Sequence, residues 1–253
     1  MSFRKIAVPL AAIALFLAFW EALVWLMGWP NYKMASPSDL VPAYARYWNL
    51  FLVMGWQTLW RTVAGLILAI VFGTALGMVM GFSRTMRDAL YPLLVGFNAV
   101  PKATVVPIVA LMFVGWHDFN TVLIAFMISF FPIAVSVSIG LSTLEPEYRD
   151  ILRSLGASQT TIFRKIALPK TLPEFFGALK VAVTLAFIGT NLMEIVSPHG
   201  RGLGALFDSG KTNSDYPLMF AVLIALAFLG IVLYYIVVAL EKIFAGWAER
   251  PAG

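Results

Sequence analysis

Residues 145–169 read EPEYRDILRSLGASQTTIFRKIALP. This is the longest polar interval in a chain that is otherwise overwhelmingly apolar, and it divides the chain into a part before and a part after. Its charges are mixed, with Glu145, Glu147 and Asp150 set against Arg149, Arg153, Arg164 and Lys165. Leu144, Tyr148, Leu152 and Leu155 recur at helical spacing, which predicts a short amphipathic helix. Gly156 ends it, because a residue just past a helix often needs a positive φ that glycine adopts freely. Ser158 is placed to cap a second short helix through Phe163 and Ile166. Pro169, lacking an N–H, is expected to stop that helix. The result is a water-exposed helix–turn–helix knob. It is either a partner's grip or a plain solvated connector.

Working outward, the knob is flanked on both sides by membrane sequence. Of 253 residues, 60% are hydrophobic and 12% charged, with mean hydropathy +0.85. A soluble domain carries about a quarter charged residues, so the composition predicts an all-α integral membrane protein. The chain is one transmembrane domain, 1–253, with spans at about 6–29, 58–82, 89–116, 121–141, 172–196 and 217–240 and the polar loop at 142–171. Six spans put both termini on one side. That side holds eleven Lys and Arg (Arg4, Lys5, Arg84, Arg87, Arg149, Arg153, Arg164, Lys165, Lys170, Lys242, Arg250) against five (Lys33, Arg46, Arg61, Arg201, Lys211) on the other. The excess assigns the termini and the knob to the cytoplasm. The net charge of +5 is therefore topological, with no need of a nucleic-acid partner. Cysteine is absent, which removes disulfides, thiolate metal sites and a cysteine nucleophile. No polar stretch is long enough to house a separate catalytic domain.

In chain order, 6–29 is too long for the core of a signal peptide and is read as a retained span. Residues 30–57 form a loop with a helix-start signal at Ser36-Pro37-Ser38-Asp39. An amphipathic stretch with Tyr44, Tyr47, Trp48 and Phe51 follows, expected to lie along the bilayer surface. Gly65, Gly73, Gly77 and Gly81 mark a close-packing face on the second span. Pro101-Lys102 predicts a kink or unwound segment in the third span. Residues 197–216 read as a glycine-rich turn on the outer face.

Gly156, nine residues, Ile166, one residue, Leu168 and Pro169 resemble the EAA loop of importer permeases driven by ATP-binding-cassette subunits. In that pattern E-A-A precedes the glycine by three residues; here Asp150-Ile151-Leu152 stands there, keeping the acid and replacing two small residues by bulky ones. AVPKATVVPIVALMFVGW at 99–116 and GRGLGALF at 200–207 resemble the nitrate/sulfonate/taurine branch. The resemblance covers nearly the whole chain. It implies a type I importer permease fold, a second permease copy, two ATPase subunits and an extracytoplasmic solute-binding protein. It further implies that Glu147, Tyr148, Asp150, Leu152, Gly156, Ala157 and Phe163 couple to the ATPase. The cargo is a small anionic or polar solute such as nitrate, a sulfonate or taurine, or alternatively a pyrimidine- or vitamin-like aromatic one. No cofactor is implied in this chain, since ATP binds the partner.

The residues themselves agree that the fuel is elsewhere. There is no Gly-x-x-x-x-Gly-Lys-Ser/Thr sequence. Ionisable groups inside spans need a reason, because each costs roughly 2.5–3.5 kcal/mol at mid-bilayer. Lys102, with Asn98 nearby, is either a cation on the translocation path or a lysine paired within the bundle. Lys180 is expected to snorkel to the cytoplasmic surface. Glu194 either caps the path at its outer mouth or faces headgroups, and Glu21 is read as structural. His117-Asp118 form an outer turn rather than a metal site, and Gly200–Gly204 a turn rather than a phosphate cradle. A self-sufficient ion-coupled carrier would need a relay of ionisable groups through the membrane, and an intramembrane enzyme a cluster of His, Asp or Glu; neither pattern is present.

Overall fold

A computed structural model describes residues 4–142, 154, 156, 158, 161, 163–197 and 200–247. Among these the structure is helical: α1 (Arg4–Met27), α2 (Pro37–Phe82), α3 (Arg84–Ala99), α4 (Lys102–Met112), α5 (His117–Ser142), a π turn (Phe163–Ala167), α6 (Leu168–Val196), α7 (Leu203–Thr212) and α8 (Tyr216–Ala245). Four of these (α2, α5, α8, and α6 with the π turn) are long and apolar enough to cross a membrane, and α3 with α4 makes a fifth if the bent pair is one span. Ala11–Met27 is a shorter apolar helix. The end of the bundle carrying Phe82, Ser142 and Leu168 is called here the loop end; its opposite, carrying Met27, His117 and Val196, is the far end.

The core is built on close backbone approach. α2 and α5 run parallel along the predicted glycine stripe. A Cβ on Gly65 would meet Ala125 Cβ at 2.5 Å, on Gly77 Ala134 O at 2.6 Å, and on Gly81 Leu141 Cβ at 2.7 Å. Ala69, Ala125, Ala134, Ala182 and Ala186 are fully buried in the same seams. Lipid gives helices little hydrophobic reason to associate, so small residues that admit dense contact are what hold spans together. α6 runs antiparallel to both, and α8 packs antiparallel on α6 through Phe176–Phe244 and through Gly230 against Phe187.

Several expectations are corrected. The helix expected within 30–57 is present: it starts at Pro37 and joins the second span across a kink at Tyr47 (φ −108°, ψ 15°), the two together making the 46 residues of α2. At 1.5 Å per residue α2 is about 69 Å long, over twice the ~30 Å hydrocarbon core, so its first part runs over the far end of the bundle. The aromatics there find polar partners within the protein. Tyr44 OH donates to Ala221 O at 2.7 Å and Tyr47 OH to Asp215 at 2.8 Å, while Trp48 stays exposed. The predicted helix start holds, and Glu21 of α1 supports it, accepting from Ser38 N at 3.0 Å and Ser38 Oγ at 2.8 Å. Negative charge at a helix N-terminus is favourable, which is the structural role expected of Glu21.

Pro169 does not stop a helix. The chain winds through the π turn into α6, and Pro169 falls in the first helical turn, where a missing N–H is tolerated. The 197–216 segment is more than a turn, since it contains α7, with Leu203 and Leu206 buried against α2 and α8. Lys180 does not reach outward alone; its Nζ pairs with Glu241 of α8 at 2.8 Å.

Candidate functional site

Three places carry chemistry. The first is the 145–169 loop. Its predicted coupling residues Glu147, Tyr148, Asp150, Leu152 and Ala157, and all but Ser154 of the helix expected over 144–155, lie outside the described residues. Phe163 opens the π turn. Gly156 is described: φ is +82° and a Cβ there would meet nothing within 4 Å, so its constraint is backbone conformation alone. Ser158 Oγ accepts from Thr161 N at 3.2 Å, the predicted cap.

The second is the break between α3 and α4. Val100 and Pro101 are extended (ψ 127° and 111°), and the two helices bend by 85°. A residue before proline avoids the helical region, so the break falls where the sequence placed it. Lys102 answers the polar groups that the break frees. Its Nζ donates to Phe97 O at 2.7 Å and Asn98 O at 3.2 Å and lies 4.9 Å from the Phe97 ring centroid. Asn98 itself is exposed. Both sites predicted on this segment are thus brought together, through the backbone of one and the ammonium of the other.

The third lies at the far end and was only half foreseen. Glu194 does not face headgroups: it is 1% exposed. Arg61, counted in the sequence only as a topological charge, is 2% exposed and donates to Glu194 Oε1 at 3.2 Å and to Asp118 Oδ1 at 2.8 Å. Arg61 also donates to the Arg201 carbonyl. Thr58 Oγ1 donates to Glu194 Oε2 at 2.8 Å and accepts from Leu203 N at 2.8 Å; Gly204 N donates to the same carboxylate at 3.0 Å. Just below, Thr62 Oγ1 and Thr190 Oγ1 are 3.0 Å apart. The glycines of 200–204 therefore cradle a carboxylate of their own chain. Gly202 sits at φ +124° with a Cβ's place taken by the Glu194 carboxyl, and a Cβ on Gly204 would lie 2.8 Å from Glu194 Cβ.

Beside this cluster opens a cleft of about 650 Å³ lined by Arg61, Gly115, Trp116, His117, Asp118, Phe119 and Arg201. The predicted His117-Asp118 turn is the first turn of α5. His117 Nδ1 and Ser197 Oγ are 2.8 Å apart, and Asp118 is held by Arg61. Among the described residues no three His, Asp or Glu side chains converge as a metal site. The only sequence signal for Arg61 was an arginine flanked by threonines just inside a predicted span.

Comparison with known proteins bears on what this framework is for. A family model described as binding-protein-dependent transport system inner membrane component matches residues 69–247. The formylaminopyrimidine transport permease protein ThiX of Halalkalibacterium halodurans is 30% identical over 243 residues, 96% of each chain. The riboflavin transport system permease protein RibX of Chloroflexus aurantiacus is 31% identical, covering 93% of this chain and 88% of its own. The taurine transport system permease protein TauC of Escherichia coli is 24% identical, covering 96% and 90%. Among solved structures, the inward-facing MetNI methionine ABC transporter superposes with a TM-score of 0.65 at 18% identity, covering 79% of this chain and 98% of that one. That likeness gives the same helical permease fold.

Proposed function

The chain belongs to the family of binding-protein-dependent transport system inner membrane components, and from that premise we propose that it forms a solute path worked by a separate ATPase gripping the 145–169 loop. As a member it is an ABC importer permease, a multi-pass protein of the bacterial inner membrane and a transport subunit rather than an enzyme. The finer reading is ours. Six spans put the termini and the loop end in the cytoplasm, a second permease copy completes the path, two ATPase subunits hold the inner loops, and a solute-binding protein docks at the far end.

The observation that carries the coupling reading is Gly156. It combines the family spacing to Ile166, Leu168 and Pro169 with a positive φ in a fully open setting. Among the described residues nothing lies within 4 Å of a Cβ at Gly156, so the constraint is its backbone conformation. The expected outcome is therefore selective. Gly156→Asn, which tolerates left-handed geometry, keeps the ATPase bound, whereas Gly156→Val loses it. Co-purification of a tagged permease with its co-expressed ATPase tests this, and equal yields for the two variants would refute it.

For the cargo we propose a small polar solute. The pyrimidine- or vitamin-like reading rests on the names of the relatives that are 30% and 31% identical. The anionic reading rests on Lys102 at the break, with Asn98 beside it, and on the taurine permease. Glu194 would close the path's outer mouth. Lys102 already caps two carbonyls, so a solute reaching it competes with them. Lys102→Arg is expected to keep uptake. Lys102→Met is expected to lower it about tenfold, because one lost hydrogen bond to a charged group is worth about 1.5 kcal/mol. Initial uptake rates in proteoliposomes measure both.

A further inference from the structure

We propose that α6 and α7 form one rigid lever running from the far-end surface to the inner loop, locked by the buried Arg61–Glu194 pair, so that α7 is neither a flexible loop nor a lid. This rests on the importer reading, and concerns how the two partner-facing ends communicate.

The rod comes first. From Lys165 to Val196 the chain is one helix of 32 residues, about 48 Å at 1.5 Å per residue. Its loop end follows the coupling segment through the π turn without a break, and its far end presents Glu194. The lock comes next. α7's opening N–H groups have no helical partners and need acceptors. Leu203 N takes Thr58 Oγ1 and Gly204 N takes Glu194. Gly202 is pressed against the same carboxyl, and Arg61 ties down the Arg201 carbonyl beside it. α7 is thus fastened to α6 and α2 at once, through a carboxylate with no access to water.

The two ion-paired arms of the cluster differ in what opening them would cost. Separating Glu194 from Arg61 strands two buried charges. Releasing Asp118 exposes nothing new, since its side chain is already 61% exposed. Movement during transport therefore falls at the Asp118 arm and at the α3–α4 break, while α2, α6 and α7 keep their mutual positions. The far tip of α7 is polar and exposed at Ser209, Lys211, Thr212 and Asn213. Arg201 and Lys211 form no ion pair among the described residues, which suits a partner presenting acidic side chains. A push there moves α6, and α6 moves the inner loop.

The chain's lack of cysteine makes the test direct. In Thr62→Cys/Thr190→Cys, sulfurs replace hydroxyls 3.0 Å apart, near the about 2.05 Å of a disulfide. The full importer, with ATPase and binding protein, is reconstituted and its ATP-driven uptake compared before and after oxidation. The lever predicts no loss of uptake on oxidation; a loss that reduction restores overturns it. In the second arm, Leu203→Cys, at a position 2% exposed, is challenged with a membrane-impermeant maleimide. The lever predicts no labelling with or without ATP and binding protein, and labelling that rises during turnover overturns it. If instead the reduced double variant takes up solute without ATP, the importer reading has failed, whatever the cross-link does.

Discussion

Glu194→Ala is expected to destabilise the permease by about 3–5 kcal/mol, the range for leaving one member of a buried ion pair without its partner. Glu194 answers four groups: Arg61, Thr58, Gly204 N and, by close contact, Gly202. Truncation removes the acceptor from Arg61, Thr58 and Gly204 N and strands a guanidinium that is 2% exposed. Arg61 keeps Asp118, but that carboxylate is largely solvated and compensates poorly. Glu194→Gln keeps an acceptor for Gly204 N and is expected to lie between alanine and the parent. Removing both charges, as in Arg61→Met/Glu194→Leu, is expected to recover part of the loss, because two well-packed apolar groups cost less than one orphaned charge. Thermal unfolding of the purified protein in detergent, across the parent and the three variants, reads the order directly. An alanine variant as stable as the parent would show that the cluster is not closed in the membrane.

Gly77→Leu is the second large effect. A Cβ at Gly77 would stand 2.6 Å from Ala134 O and 2.7 Å from Val137 Cβ. The nearest obstacle is backbone, so no rotamer change relieves the overlap. α2 and α5 have to separate along a seam that also contains Gly65, Gly73 and Gly81. Overpacking costs about 1–3 kcal/mol where side chains can yield, and a backbone obstacle belongs at or above the top of that range. The expected readout is loss of folded permease from the membrane fraction. Gly96→Leu is the matched control, since a Cβ there meets nothing within 4 Å and membrane yield should be unchanged.

These two positions also show what the sequence can and cannot tell. The glycine stripe was legible because small residues at four-residue spacing lie on one face of one helix, and the packing that uses them is local in register. The break at Pro101 and the caps at Ser36 and Ser158 were legible for the same reason: each is decided by a few neighbouring residues. Arg61 and Glu194 are 133 positions apart, and nothing in either neighbourhood announces the other. In the sequence Arg61 counted only as a topological charge and Glu194 could have faced headgroups; only tertiary packing makes them mutual. Tyr44 and Tyr47 are a different case. Amphipathic aromatics suit a bilayer surface and equally suit a helix whose hydroxyls meet Ala221 and Asp215. Pro169 was expected to stop a helix for want of an N–H, but at the first turn of a helix that N–H is not needed, and the π turn that brings the chain to it has no simple sequence mark.

The importer reading makes α6 the mechanical centre of the chain. It begins at the inner loop, contributes Thr190 and Glu194 to the far-end cluster, and is packed on both sides by α5 and α8. On that reading ATP binding and hydrolysis in a partner would supply the energy, and the permease would contribute a small number of arrangements for the partner to choose between. The measurement that tests this most directly is solute uptake into proteoliposomes containing the permease alone, the permease with its ATPase, and the complex carrying Gly156→Val. The account predicts uptake only in the second case, dependent on ATP and on the binding protein. Uptake by the permease alone, driven by an ion gradient and indifferent to ATP, would contradict it.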